Sequence, residues 1–173
     1  EKIIPAYMDF VDIAGLVKGA SNGEGLGNKF LGHIREVDAI AHVVRCFQDE
    51  NITHVSNQID PIRDIETINT ELQLADIETL QNKELSLVKK SKGGDKFIQL
   101  ELKIIEKILN NIENNNSLKF NDFNENEINF VKSLNLITLK PVLYICNVDE
   151  GSVKLGNNFS NTVVEFSSKN NHQ

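Results

Sequence analysis

The chain is predicted to be an α/β domain with a mostly parallel sheet and an inserted pair of helices. Three observations predict it. Ala39 to Phe47, Val142 to Asn147 and Thr162 to Phe166 are nearly continuous in apolar residues, the pattern of strands covered on both faces. Two long helical patterns lie between the first pair of runs. An earlier apolar run, Tyr7 to Ile13, carries an aspartate at its carboxyl end, with a glycine three residues beyond that aspartate.

Taken in order, Tyr7 to Ile13 reads as the first strand, and Lys29 to Val37 as the helix linking it to the strand Ala39 to Phe47. Ile62 to Lys92 and Lys96 to Glu113 read as two helices joined at Gly93-Gly94-Asp95, a helix stop followed by a turn. In the second of these, Phe97, Leu100, Ile104 and Ile108 recur at spacings of three and four and form an apolar stripe. Such a pair packs as an antiparallel hairpin standing off the sheet. Asn124-Glu125-Asn126-Glu127 is a capping box opening a helix through Leu134. The resulting division is 1–60 as the first part of the α/β domain, 61–118 as the helical insertion, and 119–173 as the second part of that domain.

Composition narrows the function classes. With 173 residues and 40% apolar content the chain can bury a core as one domain. A net charge of −7 argues against a protein coating nucleic acid through a broad basic face, and direct DNA binding is not expected. Lys89-Lys90-Ser91-Lys92 is the one local basic run, and it reads first as a solvated helix end. Two cysteines at predicted strand ends, Cys46 and Cys146, fit reduced thiols of a cytoplasmic protein. No apolar run is long enough to span a membrane.

The chemistry is concentrated at two turns. Asp12-Ile13-Ala14-Gly15 places a carboxylate at a strand's end, then a glycine whose N–H can approach a phosphate with no side chain in the way. P-loop NTPases sense the γ-phosphate with this pattern, the carboxylate holding the magnesium shell. The pattern alone is common. It is the glycine-rich run that follows, Gly15 to Leu31, that resembles the switch region of the Obg superfamily of nucleotide hydrolases. The run Gly19 to Gly27 is either an order–disorder switch or a static loop. The second turn, Asn147-Val148-Asp149-Glu150, follows an apolar strand where Ras-like GTPases carry N-K-x-D. Its N-x-x-E pattern is similar to the YchF branch, the Obg-like ATPases, as are Ile40 to Phe47, Ile68 to Leu72 and Leu139-Lys140-Pro141.

That resemblance implies a P-loop NTPase fold with a coiled-coil-like insertion, ATP and Mg2+ as ligands, and the ribosome, through its large subunit, as partner. No Gly-Lys dipeptide occurs in the chain, so the P-loop itself is expected upstream. The family's C-terminal TGS domain has no counterpart in this sequence, which reads as a piece of a longer protein. The stretch between Glu150 and Thr162 is short for a parallel crossover, and the expectation is that crossover residues are missing around Asn157 to Asn161.

Within this frame each candidate residue has a role and a plainer rival. Asp12 is the candidate metal residue, holding magnesium through a water, and Gly15 the γ-phosphate donor. Asn147 can pair its amide with the N6/N7 edge of adenine. Glu150, one methylene longer than the aspartate of N-K-x-D, sits differently from it, and Val148 offers an apolar contact in place of a lysine. A polar turn after a strand is the rival reading. Ser167, Ser168 and Lys169 occupy the place of a last base loop, or a plain tail. Leu16 stands where Ras-like enzymes carry the water-orienting glutamine, and leucine cannot hydrogen-bond. His54, in the loop after a strand's carboxyl end, is the candidate water-positioning group, against an ordinary loop histidine. The function classes left open are a regulatory ATPase, an Obg-type GTPase, and a non-catalytic interaction module working through the hairpin.

Overall fold

A computed structural model of the chain describes residues 7–13, 26–49, 59–91, 95–114 and 118–170. Helix α1 (Leu26–Glu36) leads to strand β1 (Ile40–Arg45). The long α2 (Pro61–Lys90) and α3 (Lys96–Glu113) form the hairpin, and α4 (Glu125–Ser133) closes against it. Strand β2 (Val142–Asn147) follows, then α5 (Asn158–Asn170). The strands pair in parallel as a two-stranded sheet, with Ile40 opposite Val142 and Arg45 opposite Asn147.

Local chemistry sets the helix ends. Asp60 caps α2 by accepting the Arg63 N–H at 3.1 Å, and Pro61 fills the first turn, where a missing N–H is harmless. Asp95 caps α3 through the Phe97 N–H at 2.8 Å. The Asn124–Glu127 box closes in both directions: Asn124 Oδ1 accepts the Glu127 N–H at 3.1 Å, and Glu127 accepts the Asn124 N–H at 3.0 Å.

Three apolar clusters hold the elements. The hairpin cluster joins Leu80 and Leu87 of α2 and Ile104, Ile105, Ile108 and Ile112 of α3 to Phe123, Val131 and Leu134. A second joins Leu31 and Ile34 of α1 to Leu72, Ala75 and Ile137. The third lies under the sheet, where Val44, Cys46 and Tyr144 meet Ile65 of α2 and Val163 of α5. Between the clusters, the fully buried Asp76 forms an ion pair with Arg35 at 3.0 Å.

Five expectations are corrected. Tyr7 to Ile13 is not in the sheet, and Tyr7, Met8 and Phe10 are 91, 78 and 81% exposed. An apolar run becomes a strand only where a neighbour takes its backbone groups. Thr162 to Phe166 is helical: Phe159, Val163 and Phe166 fall at helical spacing on the side packed under the sheet, which overrides the strand preference of Thr-Val-Val. The crossover helix expected to be missing is therefore α5 itself. Finally, the described residues cover only one face of β1 and β2, since Val43, Leu143 and Ile145 on the other are 60, 48 and 41% exposed. The α3 stripe is likewise buried only over Ile104 and Ile108, while Phe97 and Leu100 remain in solvent.

Candidate functional site at the carboxyl edge of the sheet

Parallel strands end together, so the last residues of β1 and β2 share one edge. The ladder runs one step past the strands, with the Cys46 N–H donating to the Asn147 carbonyl at 2.7 Å. The chain end of β1 is then held by α5. Asn157 Nδ2 donates to the Cys46 carbonyl at 2.7 Å, while Asn157 Oδ1 accepts the Ser160 N–H at 2.9 Å and so caps the helix. Ser160 Oγ in turn accepts the Asn157 N–H at 2.8 Å. Gly156, just before, has a φ of +73°, and a Cβ there would lie 2.7 Å from Ser160 Oγ. Only glycine takes that bend without strain.

These constraints shape an open cleft of about 310 Å³ lined by Phe47, Gln48, Asp149, Asn157, Asn158 and Phe159. Two phenyl rings, three amides and one carboxylate make it suited to a flat heterocycle with a hydrogen-bonding edge. The Arg45 guanidinium lies 4.8 Å from the centroid of the Phe47 ring, and its Nε donates to the Phe47 carbonyl at 3.2 Å, which orients the aromatic side chain. Asp149 accepts from the Ser152 N–H and hydroxyl, both at 3.0 Å, and this hydroxyl bond holds its carboxyl below its usual range. Behind the cleft, burial pushes the Cys46 thiol up to about 12, reinforced by Cys146 beside it, so Cys46 acts as a packing group. Burial lowers the His42 pKa, opposed in part by Asp64.

The structure places the predicted residues unevenly. Asn147 is exposed at the edge, beside the cleft residue Asp149. Glu150 is exposed at the start of a short 3-10 turn, Glu150–Ser152. Val148 is half-buried and packs into the cluster under the sheet, so it serves the core rather than an open apolar surface. Ser167, Ser168 and Lys169 stand in the last turns of α5, with Ser168 Oγ donating to the Val164 carbonyl at 2.9 Å. The loop after a final strand that motivated their assignment is absent from that segment. Asp12 is exposed, and its neighbour Ile13 packs with the cluster that includes Ile40, at the opening end of β1. Asn147 lies opposite Arg45, five residues or roughly 17 Å further along the strand direction. Gly15, Leu16 and His54 lie outside the described residues. Among the described residues no group of three His, Cys, Asp or Glu side chains could hold a metal. A lone Asp12 fits a carboxylate acting through water, not a closed protein cage.

Residues 2–83 match a family model described as "50S ribosome-binding GTPase". The chain is 54% identical over 150 residues to the "Ribosome-binding ATPase YchF" of Pasteurella multocida, covering 87% of this chain and 41% of that protein. It is 48% identical over 169 residues to the YchF protein of Escherichia coli O157:H7, covering 98% and 46%. A solved structure titled "Structure of the Schizosaccharomyces pombe YchF GTPase" superposes with a TM-score of 0.74 at 38% identity, over 91% of this chain and 44% of that one. The chain belongs to the YchF family. Its fold is accordingly that of a P-loop NTPase of the Obg superfamily. The chain spans less than half the length of these relatives.

Within this YchF fold, Phe47 and Asn157 are the residues that sequence reading overlooked. Phe47 had a signal in its position, an aromatic residue just past a parallel strand's carboxyl end, where ligands of α/β sheets bind. For Asn157 the signal was Asn-x-x-Ser ahead of a period-3.6 apolar pattern.

Proposed function

We propose that this chain carries the base-recognising and phosphate-sensing parts of an ATP-hydrolysing, ribosome-associated YchF protein that regulates translation in the cytoplasm. The observation that carries the reading is the cleft at the carboxyl edge of β1 and β2, walled by Phe47 and Asp149, with Asn147 at the end of β2 two residues before Asp149. The names of the bacterial relatives, ribosome-binding ATPases, support the setting, and no helix among the described residues is long and apolar enough to cross a membrane.

In this reading the purine lies along the Phe47 ring and offers its N6/N7 edge to the Asn147 amide. Asp149 is held by Ser152, which leaves Glu150 as the exposed carboxylate at the turn that faces the base. Asp12 holds the hydration shell of Mg2+, which when bound offsets phosphate charge, and Gly15 gives its N–H to the γ-phosphate. Leu16 supplies no hydrogen bond to the attacking water, and His54 orients it instead. The ribosome's large subunit is the proposed partner.

The S. pombe relative's title names a GTPase, so GTP is the competing nucleotide. Titrating the full-length protein with ATP and GTP decides between them. ATP is expected to bind tighter by about 1–3 kcal/mol, the range of one bidentate amide contact, and Asn147→Ala should abolish the difference. Equal affinities, or a preference for GTP, would sink the adenine reading. His54→Ala should lower kcat while leaving the ATP affinity unchanged. An unaltered kcat removes His54 from the mechanism. ATP-dependent co-sedimentation with isolated large ribosomal subunits tests the partner.

A further inference from the structure

The buried polar hub around Asp76 ties together three segments that are remote in sequence. Arg35, in the last turn of α1, gives Nη1 to Asp76 Oδ1 at 3.0 Å and to the Asn135 carbonyl at 3.2 Å. Its Nη2 reaches the Ala75 carbonyl at 3.0 Å and Thr79 Oγ1 at 2.8 Å. Asp76 also accepts the Ile137 N–H at 3.1 Å, the Thr138 N–H at 2.8 Å and the Thr138 hydroxyl at 2.9 Å. Lys140 Nζ completes the knot, donating to the Arg35 and Val37 carbonyls at 2.9 and 2.6 Å. Asn135, held at a φ of +48°, returns its Nδ2 to the Arg35 carbonyl at 2.8 Å.

The position of this hub matters more than its strength. Helix α1 follows the segment bearing Asp12 and Gly15. Residues 135–140 lead into β2 and hence to Asn147. Asp76 lies mid-way along α2, the root helix of the insertion. The carboxylate is saturated by donors from both other segments, and its side chain is fully buried. Sliding α1 along α2 would strand that buried charge without its partner, which a folded interior does not tolerate. A displaced α1 therefore carries α2 with it. From Asp76 to Lys90 is fourteen residues, roughly 21 Å of helix, so a tilt of about 10° at the hub moves the hairpin end by about 4 Å.

We infer that the Arg35–Asp76 hub is a mechanical coupler that passes the position of α1 to the α2–α3 hairpin, making the hairpin's disposition depend on nucleotide. Arg35 is thus a positioning residue that acts away from any bound ligand. The inference rests on the proposed role of Asp12 and Gly15 as the phosphate sensor.

Hydrogen–deuterium exchange of the full-length protein, with and without a non-hydrolysable ATP analogue and Mg2+, tests it. Wild type should show analogue-dependent exchange in peptides from residues 76–110. Arg35→Gln should bind the analogue within about threefold of wild type yet lose that difference. Thr79→Val, which deletes one hydroxyl bond at nearly constant volume, should shrink the difference without lowering Tm appreciably, and keeps the test open if Arg35→Gln does not fold. If the variants raise exchange equally in both states and keep the difference, the hub is only a staple and the coupling is overturned. Analogue binding by wild type with no response in the hairpin overturns it as well, while leaving the nucleotide reading intact. Absence of analogue binding defeats the nucleotide reading first, and the coupling with it.

Discussion

Replacing Asn157 by alanine tests the architecture of the carboxyl edge most directly. The amide does two separable jobs: Oδ1 caps α5 at the Ser160 N–H, and Nδ2 satisfies the carbonyl of the fully buried Cys46. Loss of a side-chain N-cap costs about 1 kcal/mol. A carbonyl left without its donor costs about 1–3 kcal/mol, and the half-buried site favours the lower end because water can enter. The sum is about 2–3 kcal/mol. Asn157→Ser should retain the cap but not reach Cys46, and should fall between wild type and Asn157→Ala. Urea unfolding followed by circular dichroism reads both, with the slope against urea unchanged. A loss below about 0.5 kcal/mol for alanine, or serine as costly as alanine, refutes the two-part account.

Two further outcomes follow from buried charge and from titration. Asp76→Asn should destabilise by about 3–5 kcal/mol, since it leaves the Arg35 guanidinium without its counter-charge. The double variant Arg35→Met with Asp76→Leu should not recover that loss in the same assay, because it leaves the Ile137 and Thr138 N–H groups without an acceptor, and full recovery would mean that the ion pair alone sets the cost. For His42, burial depresses the folded-state pKa, so the unfolded chain binds more protons below about pH 6.5. Stability should therefore decline as pH falls from that value towards the folded pKa and level off beneath it. His42→Gln should flatten this dependence in thermal melts between pH 7 and 5.

Much of the helical part was legible because its signals are local. The Asp95 cap and the Asn124–Glu127 box are short-range hydrogen-bond chemistry, and α3 begins and ends where the pattern predicts. The strand Val142–Asn147 was equally readable from its unbroken apolar run. Thr162 to Phe166 misled because β-branched residues favour strands in isolation, whereas burial of Val163 and Phe166 under Tyr144 decides the matter in three dimensions. Of the candidate site, Asn147 and Glu150 could be placed on the edge from sequence. The Phe47–Asn157 wall could not, because it depends on a contact between residues more than a hundred positions apart.

The pairing of Ile40 with Val142 also sets the order in which the molecule can assemble. Adjacent strands so far apart along the polypeptide face a large closure entropy if they search for each other as free chain. The antiparallel α2–α3 pair reduces that search, because its own contacts are near in sequence and form quickly. Once zipped, it returns the chain close to where it left β1. The insertion thereby acts as a folding clamp, and mutations that weaken the Leu80–Ile108 packing should slow refolding of the sheet in addition to loosening the helices.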